Sequence, residues 1–161
     1  MKFSLQFVLI AALALGVTSC QSHKAPFTPQ QVAALQSTGF KPCEEGWALG
    51  LTEKVLFDLD KATLTPQSRA AIQKVAKTLS AVGLSHARMD GHTDNTGDDR
   101  YNQALSLRRA EVVADVYATS ANIPRSQLQT RGLGKDYPIV SNGTAQGRAE
   151  NRRVSIVITS P

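Results

Sequence analysis

Cysteine, histidine and aromatic side chains are scarce in this 161-residue chain, which has two Cys, three His, one Trp, three Tyr and five Phe. The histidines, His23, His86 and His92, are dispersed, and the stretch Asp94-Asn95-Thr96-Gly97-Asp98-Asp99 lacks the spacing and terminal glutamate of a calcium loop, so no metal centre is expected. No basic stripe interleaved with base-stacking aromatics is present, which argues against a nucleic-acid partner despite a net charge of +5. His92, Ser106 and Asp90 or Asp94 supply the residue types of a hydrolase triad, but no nucleophile elbow surrounds Ser106, and catalysis is not expected. There is no internal repeat and no low-complexity tract.

The apolar run from Phe7 to Val17 is too short and too poorly flanked to span a membrane. Lys2 precedes it and the small residues Val17-Thr18-Ser19 follow, ahead of Cys20, so residues 1–19 read as a secretory signal. Their removal takes away one positive charge, Lys2, and leaves 142 residues carrying +4. That length suits one compact domain with a tether. The excess charge suits an anionic wall or membrane, although it is modest and scattered. Cys43 is then the only thiol outside the signal junction. It is either inert or pairs between chains, which leaves a homodimer open.

Residues 20–46 read as a tether with a short helix and residues 47–161 as the domain. Ser22-His23-Lys24-Ala25-Pro26 is polar. Thr28-Pro29 supplies an N-cap followed by proline at the first helical position, opening a helix through Gln31, Val32, Leu35 and Gln36 that Gly39 stops. Phe27, Val32, Leu35 and Phe40 form an apolar strip on this segment, and so short a helix needs a partner for it. Within the domain, Trp47–Leu51 and Lys54–Phe57 read as strands, and Thr65-Pro66 opens a helix carrying Ile72, Val75, Ala76 and Leu79 that closes at Gly83. A strand ending at Gly91, a helix over 102–119, a strand over 128–131 and a last strand over 154–158 follow. This alternation predicts an α/β (α+β) sandwich, a mixed sheet with helices packed on one face.

The most informative stretch is Gly91-His92-Thr93-Asp94-Asn95-Thr96-Gly97, an Asx-rich turn after a strand, followed by a helix bearing Asn102, Leu105, Ser106, Arg108, Arg109 and Ala110. Asp94 and Arg109 can line one pocket. A carboxylate accepts hydrogen bonds from an ammonium and a guanidinium donates two parallel bonds to a carboxylate, so the pair can read both ends of an amino-acid head group. An ordinary intramolecular ion pair uses the same two residues. Asp58-Leu59-Asp60, just after a strand, could border the same pocket.

Together with Arg131-Gly132-Leu133-Gly134, Pro138, Asn142, Gly147-Arg148 and Asn151-Arg152-Arg153-Val154, this pattern resembles the OmpA C-terminal-like peptidoglycan-binding domain over about residues 53–159. The resemblance implies non-covalent binding of the diaminopimelate of the peptidoglycan stem peptide, without a cofactor. By position it makes Asp94 and Arg109 the principal ligands, with Thr93, Asn95 and Gly97 shaping the loop and Asn102 and Arg152 bordering the pocket. Arg148 and Arg153 are expected to hold the last loop and strand.

Val17-Thr18-Ser19-Cys20 resembles the lipobox of bacterial lipoproteins, which implies that Cys20 is the acylated first residue of the mature chain. Gln21 in place of Asp is compatible with sorting to the outer membrane, with the domain on its periplasmic face. Several acyl chains, at about 0.8 kcal/mol per buried methylene, make such attachment effectively permanent. Thr28–Phe40, Gly46–Leu51, Ala87–Gly97 and Thr144–Arg153 further resemble a family of small outer-membrane lipoproteins of Gram-negative bacteria. In that family the lipoprotein sequesters a periplasmic inhibitor (YfiR-like) that otherwise represses an inner-membrane diguanylate cyclase (YfiN-like). The implied output is higher cyclic di-GMP and biofilm formation, with Leu35, Phe40 and Trp47 as the partner-binding surface. The alternative is a structural, Pal-like lipoprotein that tethers the outer membrane to the wall.

Overall fold

The computed structural model describes residues 26–57 and 63–160. Cys20 and Asp58-Leu59-Asp60 lie outside them. Helix α1 (Pro29–Ser37) begins as its sequence predicts: the Thr28 hydroxyl accepts from the Gln31 amide at 3.2 Å, and the Gln31 side chain accepts from the Thr28 amide at 3.0 Å. It ends where Gly39 takes φ +88. The chain then runs through β1 (Lys41–Cys43), β2 (Gly46–Thr52), a helical turn α2 (Glu53–Leu56), α3 (Pro66–Ser80), β3 (Ala87–His92), α4 (Asp99–Ala121), β4 (Leu128–Gly132), α5 (Ala145–Asn151) and β5 (Arg153–Thr159).

The strands form one mixed sheet in the order β1-β2-β5-β3-β4. Strand β5 lies antiparallel to both β2 and β3, while β3 and β4, joined through α4, are parallel. One sheet face meets the helices. Met89 of β3 and Val154, Ile156 and Ile158 of β5 are buried against Ile72, Ala76 and Leu79 of α3 and Ala110, Val113 and Tyr117 of α4. The alternate residues Arg88, Asp90 and His92 of β3 and Arg153, Ser155 and Val157 of β5 line a cleft on the opposite face, as the two-residue period of a strand requires.

Two glycines let α4 come close to the sheet. A Cβ on Gly91 would lie 2.0 Å from the Ser106 carbonyl oxygen, and one on Gly132 would lie 2.5 Å from that of Gln103. The first half of α4 therefore rests directly on β3 and β4, which fixes where Arg109 emerges relative to the loop that follows β3.

The structure departs from the sequence reading in four places. Lys54–Phe57 is no strand: the β2–β5 ladder ends with the Glu53 amide donating to the Arg152 carbonyl at 2.7 Å, and the Phe57 amide then donates back to the Glu53 carbonyl at 2.9 Å, which closes a helical turn. Helix α4 starts three residues earlier than Asn102, because the Asp98 side chain caps it by accepting from the Tyr101 amide at 3.0 Å. Strand β1 and helix α5 were not expected. Most consequentially, the segment before residue 47 is built into the domain. Leu35 is 0% and Phe40 4% exposed within the main core, Gln31 Nε2 donates to the Val82 carbonyl at 3.2 Å, and β1 pairs with β2. Leu35 and Phe40 therefore present no strip to a partner in this conformation. A nine-residue helix with one apolar side finds its partner in the nearest apolar surface, the end of α3. Trp47, partly buried on β2, packs against the same core.

Candidate functional site

The loop after β3 leaves the sheet at Thr93, whose amide donates to the Gly134 carbonyl at 2.8 Å and whose hydroxyl donates to the Asp94 carbonyl at 2.9 Å. The Asp94 carboxylate closes the Asx turn by accepting from the Thr96 amide at 2.8 Å. Gly97 turns the chain at φ +90, a region that favours glycine. Asn102, on the first turns of α4, donates to the Thr96 carbonyl at 2.8 Å and so ties the helix to the loop.

These elements enclose an open cavity of about 570 Å³ lined by Thr93, Asp94, Thr96, Asn102, Arg109 and Arg152, with Glu53, Tyr101, Leu105 and Arg108 completing the wall. Asp94, Arg109, Thr93, Asn102 and Arg152 all line this one cavity. Asn95 and Gly97 do not line the cavity; they are exposed, and their place is in the turn. Glu53, Tyr101 and Leu105 were missed. Glu53 carries no local motif and reaches the cavity only because β2 ends beside β5.

Arg109 is buried, with its guanidinium carbon 5.3 Å from the centre of the Phe57 ring and its Nη2 donating to Glu53 Oε1. Arg152 Nη1 donates to Asp94 Oδ2 at 2.7 Å, and Arg152 Nε forms an ion pair with Glu53 Oε2 at 2.7 Å. One buried polar atom in this wall, Arg109 Nε, has no hydrogen-bond partner among the described residues. Unspent buried hydrogen-bonding capacity is uncommon in a folded protein and here sits beside an open cavity. Burial by itself raises the Asp94 pKa, but the Arg152 hydrogen bond and those from Thr96 outweigh it and hold the carboxyl below its ordinary value. The Asp94 hydrogen bond in turn holds the Arg152 guanidinium above its ordinary value. The cavity thus offers a fixed carboxylate and a fixed guanidinium, suited to binding an ammonium and a carboxylate.

The residue types of the hydrolase triad are dispersed. The Ser106 hydroxyl donates to the Gln103 carbonyl at 2.9 Å and accepts from the Gly134 amide at 3.0 Å. Asp90 is held on the other sheet face by Arg131, through two bonds of 2.7 Å, and by Arg88. His92 lines that same opposite face. Arg148 and Arg153 hold the last loop: Arg148 Nη1 donates to the Asn142 carbonyl at 3.0 Å, and Arg153 Nη2 to that of Tyr137 at 3.1 Å.

The model of the OmpA family matches residues 56–152. The chain is 58% identical over 147 residues to the lipoprotein YfiB of Escherichia coli K12, covering 91% of the chain and 92% of that protein. It is 45% identical over 150 residues to the outer-membrane lipoprotein YfiB of Pseudomonas aeruginosa, covering 91% and 88%. Among solved structures, the peptidoglycan-associated lipoprotein of Burkholderia pseudomallei superposes with a TM-score of 0.56 at 31% identity, covering 64% of the chain and 86% of its own. The chain therefore belongs to the OmpA family, among its YfiB-type lipoproteins.

Proposed function

We propose that this outer-membrane lipoprotein binds peptidoglycan non-covalently by holding the free end of a diaminopimelate side chain in the cavity between Asp94 and Arg109. The observation that carries this reading is that one fixed carboxylate and one fixed guanidinium line the walls of one cavity. Asp94 accepts from the ligand ammonium and Arg109 donates to the neighbouring carboxylate. Cys20 carries the lipid anchor. The work of the site is binding, with no bond made or broken.

The second half of the proposed function is capture of a periplasmic YfiR-like inhibitor, which relieves a YfiN-like diguanylate cyclase and raises cyclic di-GMP. Its support is similarity to the YfiB lipoproteins over 91% of the chain, a span that takes in α1, β1 and β2 beyond the family-model match. Because Leu35 and Phe40 are buried, this capture requires α1 and β1 to leave the core; Trp47, only partly buried, is then uncovered further. Release also lengthens the tether. With α1 docked, the seven steps from Cys20 to Phe27 reach at most about 25 Å, whereas the 27 steps from Cys20 to Trp47 reach about 90–97 Å fully extended.

The burial of Leu35 and Phe40 favours a second reading, a structural Pal-like tether between outer membrane and wall that needs no partner protein. Sedimentation with purified sacculi and pull-down from periplasmic extract separate the two. Wall binding lost in Asp94→Ala, with a small periplasmic protein captured by wild type and lost in Leu35→Ala/Trp47→Ala, supports the signalling role. Wall binding with no such capture supports the tether. Sacculus binding unaffected by Asp94→Ala would refute the pocket assignment.

A further inference from the structure

Glu53 and Arg152 stand between Asp94 and Arg109, and the four side chains form a row of alternating charge. Arg109 Nη2 donates to Glu53 Oε1, Glu53 Oε2 lies 2.7 Å from Arg152 Nε, and Arg152 Nη1 donates to Asp94 Oδ2 at 2.7 Å. From this row we infer that Glu53 is a positioning residue that makes the cavity select a zwitterionic ligand end over a purely anionic one, an inference that rests on the diaminopimelate reading above.

Without Glu53, the guanidiniums of Arg108, Arg109 and Arg152 would surround the single carboxylate of Asp94. Such a field attracts any anion and gains little from a ligand ammonium. With Glu53 the five charges sum to +1, so a ligand carboxylate is matched at Arg109 only when its own ammonium is matched at Asp94. Glu53 is well placed for this. Its carboxylate is 21% exposed, so its field is less screened than that of a surface group. Its amide donates to the Arg152 carbonyl at 2.7 Å, which registers the start of α2 against the residue whose guanidinium it holds. It also spreads its two oxygens over two guanidiniums, which keeps Arg109 and Arg152 apart at the spacing the row requires.

The test compares two probes on the lipidated mature chain in detergent micelles. One is a muramyl tripeptide with meso-diaminopimelate as its third residue. The other carries 2-aminopimelate there, which keeps the side-chain carboxylate and lacks the side-chain ammonium. By calorimetry, wild type should prefer the first probe by about tenfold or more, Glu53→Gln should lower that preference by about tenfold, and Glu53→Asp, which keeps the charge, should retain it. If Glu53→Gln changes both affinities by the same factor, Glu53 is a packing residue and the inference is overturned. Equal wild-type affinity for the two probes would overturn the inference and leave wall binding standing. Failure of wild type to bind either probe would overturn the diaminopimelate reading and this inference with it.

Discussion

Arg152 Nη1 lies 2.7 Å from Asp94 Oδ2, so the carboxylate assigned to a ligand ammonium is already held by a cation of the protein. A carboxylate has about four acceptor positions, and the Thr96 amide and Arg152 occupy two of them. Capacity remains for a ligand. Arg152 therefore aims Asp94 without using it up, and the site is organised before anything binds.

Replacing Asp94 by Ala removes that acceptor and leaves the Arg152 guanidinium without its partner. Sacculus binding should fall by about 10-fold to 100-fold, the scale of a lost charge-assisted hydrogen bond pair. Co-sedimentation with purified sacculi measures it, and circular dichroism should show the fold intact.

Arg109→Lys keeps the charge and loses the planar fork that a carboxylate needs. Muropeptide affinity should drop by about tenfold. Arg109→Ala should go further, because it removes the guanidinium altogether and breaks the ion pair with Glu53, whose other oxygen keeps Arg152. Denaturant midpoints for the two variants, with m-values unchanged, would show this order.

Burial, with the nearby Arg153 charge, pushes the His92 pKa down to about 4, against an ordinary value of about 6.5. Between these values the unfolded chain binds a proton that the folded chain refuses. The contribution is therefore present in full above about pH 6.5 and is lost as pH falls toward 4, amounting to about 3 kcal/mol. Asp94, with its pKa lowered, remains ionised through this window. Urea midpoints should fall from pH 6.5 to 4 while the surviving folded protein still binds sacculi, and His92→Gln should flatten the slope.

Leu35→Ala should cost about 2–5 kcal/mol, because the side chain is fully buried. The loss should be concentrated in the docking of α1 and β1. Amide exchange across residues 29–43 should speed up well before that of β3 and β5, and uniform acceleration throughout the domain would show that α1 is inseparable from the core.

A methyl group at Gly91 would meet the Ser106 carbonyl oxygen at 2.0 Å, a backbone atom that no side-chain rotation can move aside. Gly91→Ala should push α4 off β3, lower the melting temperature and weaken muropeptide binding together, since Arg109 rides on α4. Calorimetric melting and binding titrations would reveal one without the other if the close approach did not set the site.

Local signals sufficed for much of this molecule. Thr28-Pro29 and Thr65-Pro66 mark helix starts through side-chain capping and a fixed φ, which depend only on neighbours along the chain. The Asx turn from Gly91 to Gly97 and the helical period beyond it were legible for the same reason, whereas it was resemblance to a family that singled out Asp94 and Arg109. Three features were decided only by tertiary structure. Lys54–Phe57 has a strand-like composition, but its place at the sheet end, beside Arg152, converts it to a helical turn. Glu53 has no motif of its own and becomes part of the site through pairing of β2 with β5, which brings it to Arg109 and Arg152. The apolar residues Leu35 and Phe40 read equally as a partner surface or as core. The choice belongs to the shape of the surface that α3 offers, because hydrophobic burial has no direction and a sequence names no neighbour across space.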